Sequence, residues 1–188
     1  PLLLLVFCCS FFINNGAIFA DIMESRNIIT AREMVYDHNW LVPTMNGELR
    51  LEKPPLPTWI AAITEMISPD NLPLQRAMAG FAAVMLVLFF YKFATKLTDN
   101  RTYALVSSLV LCTSYNIILM GRTATWDIYC HAFMMGAIYY LYLALRQNPC
   151  KWTYFIGAGI FMGLSFLGKG PVSFYALLLP FVCAYILY

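Results

Sequence analysis

The chain has 188 residues, 61% of them hydrophobic and only 12% charged, and its formal net charge is +2. A soluble domain is roughly half apolar and a quarter charged, so this composition excludes one and marks an integral membrane protein, while the small net charge argues against a nucleic-acid partner. The six cysteines lie in or beside apolar runs, with no CxxC or Cys/His spacing, and read as buried free thiols rather than a metal site or a disulfide framework.

Taken in chain order, the first apolar run covers 1–20 and is uncharged. It lacks a basic start and an A-x-A cleavage site, which favours a membrane span over a signal peptide. The chain opens at "PLLLL" without Met and stops at "AYILY" inside an apolar run, so it is read as the N-terminal part of a longer protein. Segment 21–76 follows and is patterned. In "SRNIITAREMVYDHNW", Ile28, Ala31 and Val35 form the apolar stripe of a short amphipathic helix. "TMNGE" reads as a turn centred on Asn-Gly. "GELRLEKPPLPTW" then packs Glu48, Arg50, Glu52 and Lys53 against a proline corner. In "PPLPTWIAAITEMI", Leu56, Trp59, Ile60, Ile63, Met66 and Ile67 recur at helical spacing, with Pro55 and Pro57 suited to the first turn. That stripe either lies in the membrane interface or packs on other helices of the protein.

Five further spans are expected at 77–94, 102–120, 128–145, 152–168 and 171–188, all uncharged except for Lys92. Each is near the roughly 20 residues that cross a bilayer, and each must be helical because lipid offers the backbone no hydrogen bonds. The connection "YKFATKLTDNR" holds Lys92, Lys96 and Arg101, and "RQNPCK" holds Arg146 and Lys151, whereas "GRTATWD" and "GKGP" hold one basic residue each. The basic connections should face the cytoplasm. Counting spans then puts 21–76, Arg122, Asp127 and Lys169 together on the outer face.

Several of these outer residues have the chemistry of a site. Asp21 and Glu24 either mark the water boundary or serve as site carboxylates, with Arg26 close behind. Arg122 and Asp127 bracket "RTATWD", and ionisable groups at that depth need partners or a role. Lys169 sits between Gly168 and Gly170, either in a plain helix turn or beside a ligand. Lys53 stands at the entrance of a helix, where an N-terminus already favours anions. His131, four residues past Asp127, shares its helix face but reads as a satisfied buried histidine. His38 reads as a surface residue. Carboxylates, cations and an amphipathic floor at the bilayer surface suit a substrate with an anionic head and a long apolar tail.

These residues also carry a resemblance. "ExR" at 24–26, "AREM" at 31–34, "WLVPTMNGE" at 40–48 and "EKPPL" at 52–56 resemble the first outer loop of GT-C membrane glycosyltransferases. The nearest group is that of the aminoarabinose lipid A transferases and protein mannosyltransferases. "GRTATWD" and "GLSFLGKGPV" resemble that family's later stretches, in the same order. The resemblance implies an all-α polytopic membrane protein with GT-C-like transmembrane helices and juxtamembrane amphipathic helices in the first outer loop. It implies transfer of a sugar, with inversion, from a polyprenyl-phosphate carrier to a lipid A-like or protein acceptor, at a site facing the periplasm of a bacterial inner membrane. Lys53 and Arg26 would hold the donor phosphate, with Lys169 and Arg122 as further cations. Asp127 matches the acidic residue of the second outer loop, and Glu52 a position that joins a divalent metal site. No nucleotide cofactor is implied. One departure stands out: Met23 occupies the place of the family's first-loop Asp, leaving Glu24, with Asp21 next, to take its role beside Asp127. A transporter or flippase of a lipid-linked sugar is the alternative from another class, and a non-catalytic scaffold a third.

Overall fold

The computed structural model describes residues 2–17, 19–146 and 151–187, so Cys150 and the extreme ends of the first and last expected spans lie outside it. The chain begins with α1 (Leu2–Phe7), which runs on as a π-helical turn over Cys8–Phe12. Helix α2 spans Ile22–Tyr36. Its N-cap is Asp21, whose carboxylate accepts the Glu24 N–H at 2.7 Å. It ends just before His38, which adopts a left-handed backbone conformation.

The predicted turn at Asn46-Gly47 is the tip of a two-residue hairpin. Strands β1 (Thr44–Met45) and β2 (Glu48–Leu49) pair antiparallel, and both turn residues have positive φ, as this tight turn requires. Glu33 of α2 clasps the tip. It accepts the Thr44 hydroxyl at 2.7 Å and the Asn46 and Gly47 N–H groups at 2.5 and 3.4 Å. Burial pushes the Glu33 carboxyl up, but these hydrogen bonds outweigh it and hold the group below its ordinary value.

Helix α3 (Leu56–Ile67) packs on α2 through small residues, with Ala61 and Ala62 against Ala31 and Met34. Its stripe divides along its length. Leu56, Trp59 and Ile60 are half-buried, whereas Ile63, Met66 and Ile67 remain 51%, 62% and 72% exposed. The C-terminal part of the stripe is therefore not absorbed by the described protein.

Helix α4 (Leu72–Thr98) has 27 residues and α7 (Asp127–Arg146) has 20; both are long and apolar enough to cross a membrane. The apolar run at 102–120 is not one straight helix. It forms α5 (Arg101–Cys112) and α6 (Tyr115–Gly121), bent by 65°. At the break the Thr113 and Ser114 hydroxyls bond back to the Leu109 and Leu111 carbonyls, competing with the helical ladder. Counted together the pair makes a third candidate span. Helix α8 (Trp152–Lys169) follows. A π-helical turn over Phe174–Leu178 then leads into α9 (Leu179–Leu187).

Helices α4 and α7 run side by side in the same direction, and their polar ends show it. Near their starts Arg76 and Ala124 both bond Glu24. At their ends the Arg146 guanidinium donates to the Lys96 carbonyl at 3.0 Å. Between these ends lies an apolar core that includes Ala79, Ala83, Val87, Ile128 and Met134. At α8 the backbones approach closely where Gly168 meets Cys130. A Cβ at Gly168 would stand 3.1 Å from the Cys130 Cα, so a side chain there would push the helices apart. The five described cysteines are free, as the spacing predicts, but only Cys112 and Cys130 are buried; Cys8, Cys9 and Cys183 are exposed.

Candidate active site

The polar residues of 21–76 meet the 122–127 connection at the end of the bundle where α4 and α7 begin. Glu24 is central to the join. Its side chain is fully buried, and Arg76 grips it with two hydrogen bonds, Nε to Oε1 and Nη2 to Oε2, both 2.8 Å. Oε1 also accepts the Ala124 N–H at 2.9 Å. Arg76 reaches past Glu24 to the Asn15 carbonyl at 2.6 Å. A second link runs in parallel: Asn27 donates to the Ala124 carbonyl at 3.0 Å and accepts the Thr58 hydroxyl at 2.9 Å. These bonds tie α1, α2, α3, α4 and the 122–127 connection into one unit.

The expected site residues separate into four kinds of place. Glu24 and Arg122 are engaged in the framework. Arg122 donates to the Ser10, Ile13 and Asn14 carbonyls at 3.0, 2.8 and 3.2 Å, satisfying the backbone where the first helix ends. Asp21 is the exposed N-cap of α2. Asp127 and Lys169 form an ion pair that stays partly open, with 29% and 26% of their side chains exposed. His131, one turn below on α7, has Nδ1 2.9 Å from the Ser173 hydroxyl and so is a satisfied histidine.

Lys53 lies in a narrow cleft together with Arg50, Thr30, Thr58 and Trp126. Trp126 directly precedes Asp127, so residues from 21–76 and from the 122–127 connection converge here. Arg50 is mostly buried. Its Nη1 donates to the Arg26 carbonyl at 2.6 Å and to the Thr30 hydroxyl at 2.7 Å, and its guanidinium sits 5.5 Å from the centre of the Trp126 ring. Burial lowers the Arg50 pKa, Glu52 raises it and Arg26 lowers it. Arginine starts so high that it remains charged. Arg26 thus brings a second guanidinium within electrostatic reach, while its own side chain is exposed. Glu52 is exposed, and among the described residues no group of three or more His, Cys, Asp and Glu side chains is placed to hold a metal ion.

Sequence reasoning assigned no role to Arg50, Arg76, Asn27 or Trp126. Arg50 stood in the charged stretch, but nothing local separates it from a solvated loop charge. Arg76 had one available signal: a lone arginine just ahead of a long apolar run needs a partner.

The chain is similar in sequence and in fold to known proteins. Residues 52–188 match the family model described as dolichyl-phosphate-mannose-protein mannosyltransferase. Over 165 residues the chain is 32% identical to the undecaprenyl phosphate-alpha-4-amino-4-deoxy-L-arabinose arabinosyl transferase of Shewanella sediminis, covering 85% of this chain and 29% of that protein. It is 28% identical to the protein of the same name from Yersinia enterocolitica, covering 85% of this chain and 28% of that one. In three dimensions it is similar to the crystal structure of ArnT from Cupriavidus metallidurans bound to undecaprenyl phosphate. That match has a TM-score of 0.75 at 17% identity, over 93% of this chain and 32% of the other. The chain spans less than a third of the length of each of these proteins.

Proposed function

The chain belongs to the dolichyl-phosphate-mannose-protein mannosyltransferase family, and from that premise we propose that it forms part of a glycosyltransferase that moves a sugar from a polyprenyl-phosphate carrier to a lipid A-like or protein acceptor. The reaction takes place on the outer face of the membrane, which for a protein similar to these bacterial relatives is the periplasmic side of the inner membrane. The observation that carries the reading is the cleft in which Lys53 and Arg50 meet Trp126, next to the half-open Asp127–Lys169 pair.

In this mechanism the phosphate is the leaving group, and negative charge grows on its oxygens as the bond to the anomeric carbon breaks. Lys53 and Arg26 stabilise that charge from positions set before the reaction, with Lys169 as a further cation. Attack comes from the face opposite the phosphate, so the anomeric configuration inverts. Asp127 orients the acceptor and, where the nucleophile is a hydroxyl, takes its proton. Glu24 fits that role less well, because Arg76 and the Ala124 N–H occupy both of its oxygens. It acts instead as the strut that holds the 122–127 connection, and Arg122 as a strut for the first helix. Of the two first-loop candidates, Asp21 is the one open to solvent. The exposed end of α3, with Ile63, Met66 and Ile67, rests in the membrane interface beside the donor's tail.

The test is sugar transfer by the purified full-length protein in liposomes, with the lipid-linked donor supplied from one side. Product formation that depends on Lys53 supports the reading. Movement of the donor across the bilayer without transfer would replace it with a flippase, and neither activity would leave a scaffold.

A further inference from the structure

Trp126, one wall of the Lys53 cleft, carries a hydrogen-bond donor that the described residues leave unused. Trp126 is only 2% exposed, yet its indole N–H has no acceptor among the described residues. An unpaired buried N–H costs about 1–3 kcal/mol, and native structures keep few of them.

The surroundings specify the missing acceptor. Besides Trp126, the cleft is walled by the cations Arg50 and Lys53, the hydroxyls of Thr30 and Thr58, and two prolines; no carboxylate lines it. From nearby, Glu52 acts on Arg50 as an opposite charge and Arg26, more weakly, as a like charge. Trp126 also stands at the start of α7, a 20-residue helix whose N-terminal end attracts negative charge. The two cations and the helix N-terminus favour an anion, while the Thr30 and Thr58 hydroxyls already donate to the Arg26 carbonyl and to Asn27 Oδ1. The cleft is half open, and its depth has room for about one water-sized atom.

We infer that Trp126 is a binding residue for the donor lipid: its indole N–H takes one non-bridging oxygen of the lipid-linked phosphate, while Lys53 and Arg50 balance the charge at the mouth of the cleft. The inference rests on the proposed function, since the phosphate is that of the sugar carrier. It adds a neutral donor that fixes the orientation of the phosphate where the cations supply attraction. It also accounts for Arg50 lying over the ring: the guanidinium is held at the cleft by the aromatic face and by the Arg26 carbonyl.

The substitution Trp126→Phe keeps a ring beneath Arg50 and removes the N–H. Binding of a polyprenyl monophosphate to the full-length protein in detergent, measured by calorimetry, is expected to weaken about 5- to 150-fold in Trp126→Phe, the fold-change that corresponds to one unpaired hydrogen bond. Lys53→Ala serves as the companion variant. Wild-type affinity in Trp126→Phe together with weakened binding in Lys53→Ala overturns the Trp126 inference and leaves the proposed function standing. Wild-type affinity in Lys53→Ala removes the reading beneath both. A second measurement reads the N–H itself: in the full-length protein the Trp126 indole ¹⁵N–¹H resonance is the one missing from the Trp126→Phe spectrum. Addition of polyprenyl monophosphate is expected to move it downfield. An unmoved resonance at saturating lipid means that the N–H bonds something else, such as a trapped water, and sinks the inference.

Discussion

Glu24 and Asp127 are both carboxylates paired with a cation at the same end of the bundle, but their surroundings differ. Glu24 is fully buried, and its oxygens are shared between Arg76 and the Ala124 N–H. Asp127 faces Lys169 with over a quarter of each side chain in the open. A closed pair that joins segments far apart in sequence stabilises an arrangement and has nothing left to offer a ligand. An open pair beside a cationic cleft can exchange partners as substrates arrive. Residue type alone therefore does not identify a catalytic carboxylate; the number of its oxygens already engaged does.

Substitutions can break this contrast, and the largest effect is expected at the closed pair. Arg76→Ala leaves Glu24 buried without its cation, which should cost about 3–5 kcal/mol. The check is the unfolding temperature of the detergent-solubilised protein, with Asp127→Asn as the comparison. Equal losses in the two variants would erase the distinction between strut and site.

Lys53→Ala should lower kcat/KM for sugar transfer by about 10²–10³-fold, the usual consequence of removing one preset stabiliser of a developing oxyanion, at nearly unchanged unfolding temperature. An active Lys53→Ala enzyme would place the phosphate elsewhere. Asp127→Asn sharpens the comparison by reporting on the acceptor. With a hydroxyl acceptor the loss should approach about 10²-fold, the lower range for a general base. With a phosphate acceptor, already ionised, the loss should be far smaller. Parallel assays with the two acceptor types read the difference directly.

The smallest expected effect lies at the hairpin. Glu33 is held below its ordinary pKa by its hydrogen bonds to Thr44, Asn46 and Gly47, against the opposing effect of burial. A depressed carboxyl contributes its stability fully above the unfolded value of about 4.3 and loses it as the pH falls through the lower folded value. The unfolding temperature of wild type should therefore exceed that of Glu33→Gln at pH 7 by the equivalent of about 1 kcal/mol, and the gap should close in acid below the folded pKa. A gap that persists unchanged there would mean the carboxylate charge contributes nothing.

Much of the architecture was legible in the chain itself. The long apolar runs of α4 and α7, the Asn-Gly hairpin tip and the proline-led α3 each follow from local pattern. The bend between α5 and α6 was not anticipated, because two hydroxyl residues in an otherwise apolar run leave hydropathy almost unchanged while competing for backbone carbonyls. Of the site, Lys53, Asp127 and Lys169 were found as lone charges beside apolar segments. Arg50 and Trp126 escaped notice because one looked like a loop charge and the other like an ordinary apolar anchor.

By itself the sequence determined the class of protein, the approximate places of its helices and the end at which its acids and cations collect. Hydropathy and loop charge act residue by residue along the chain, and the bilayer reads them that way. Only the tertiary structure decided which charges serve the framework and which remain open. Glu24 finds Arg76 52 positions away and the Ala124 N–H 100 positions away. A charge-assisted hydrogen bond needs its heavy atoms within about 3 Å of each other, and no local pattern specifies which distant groups folding will bring that close.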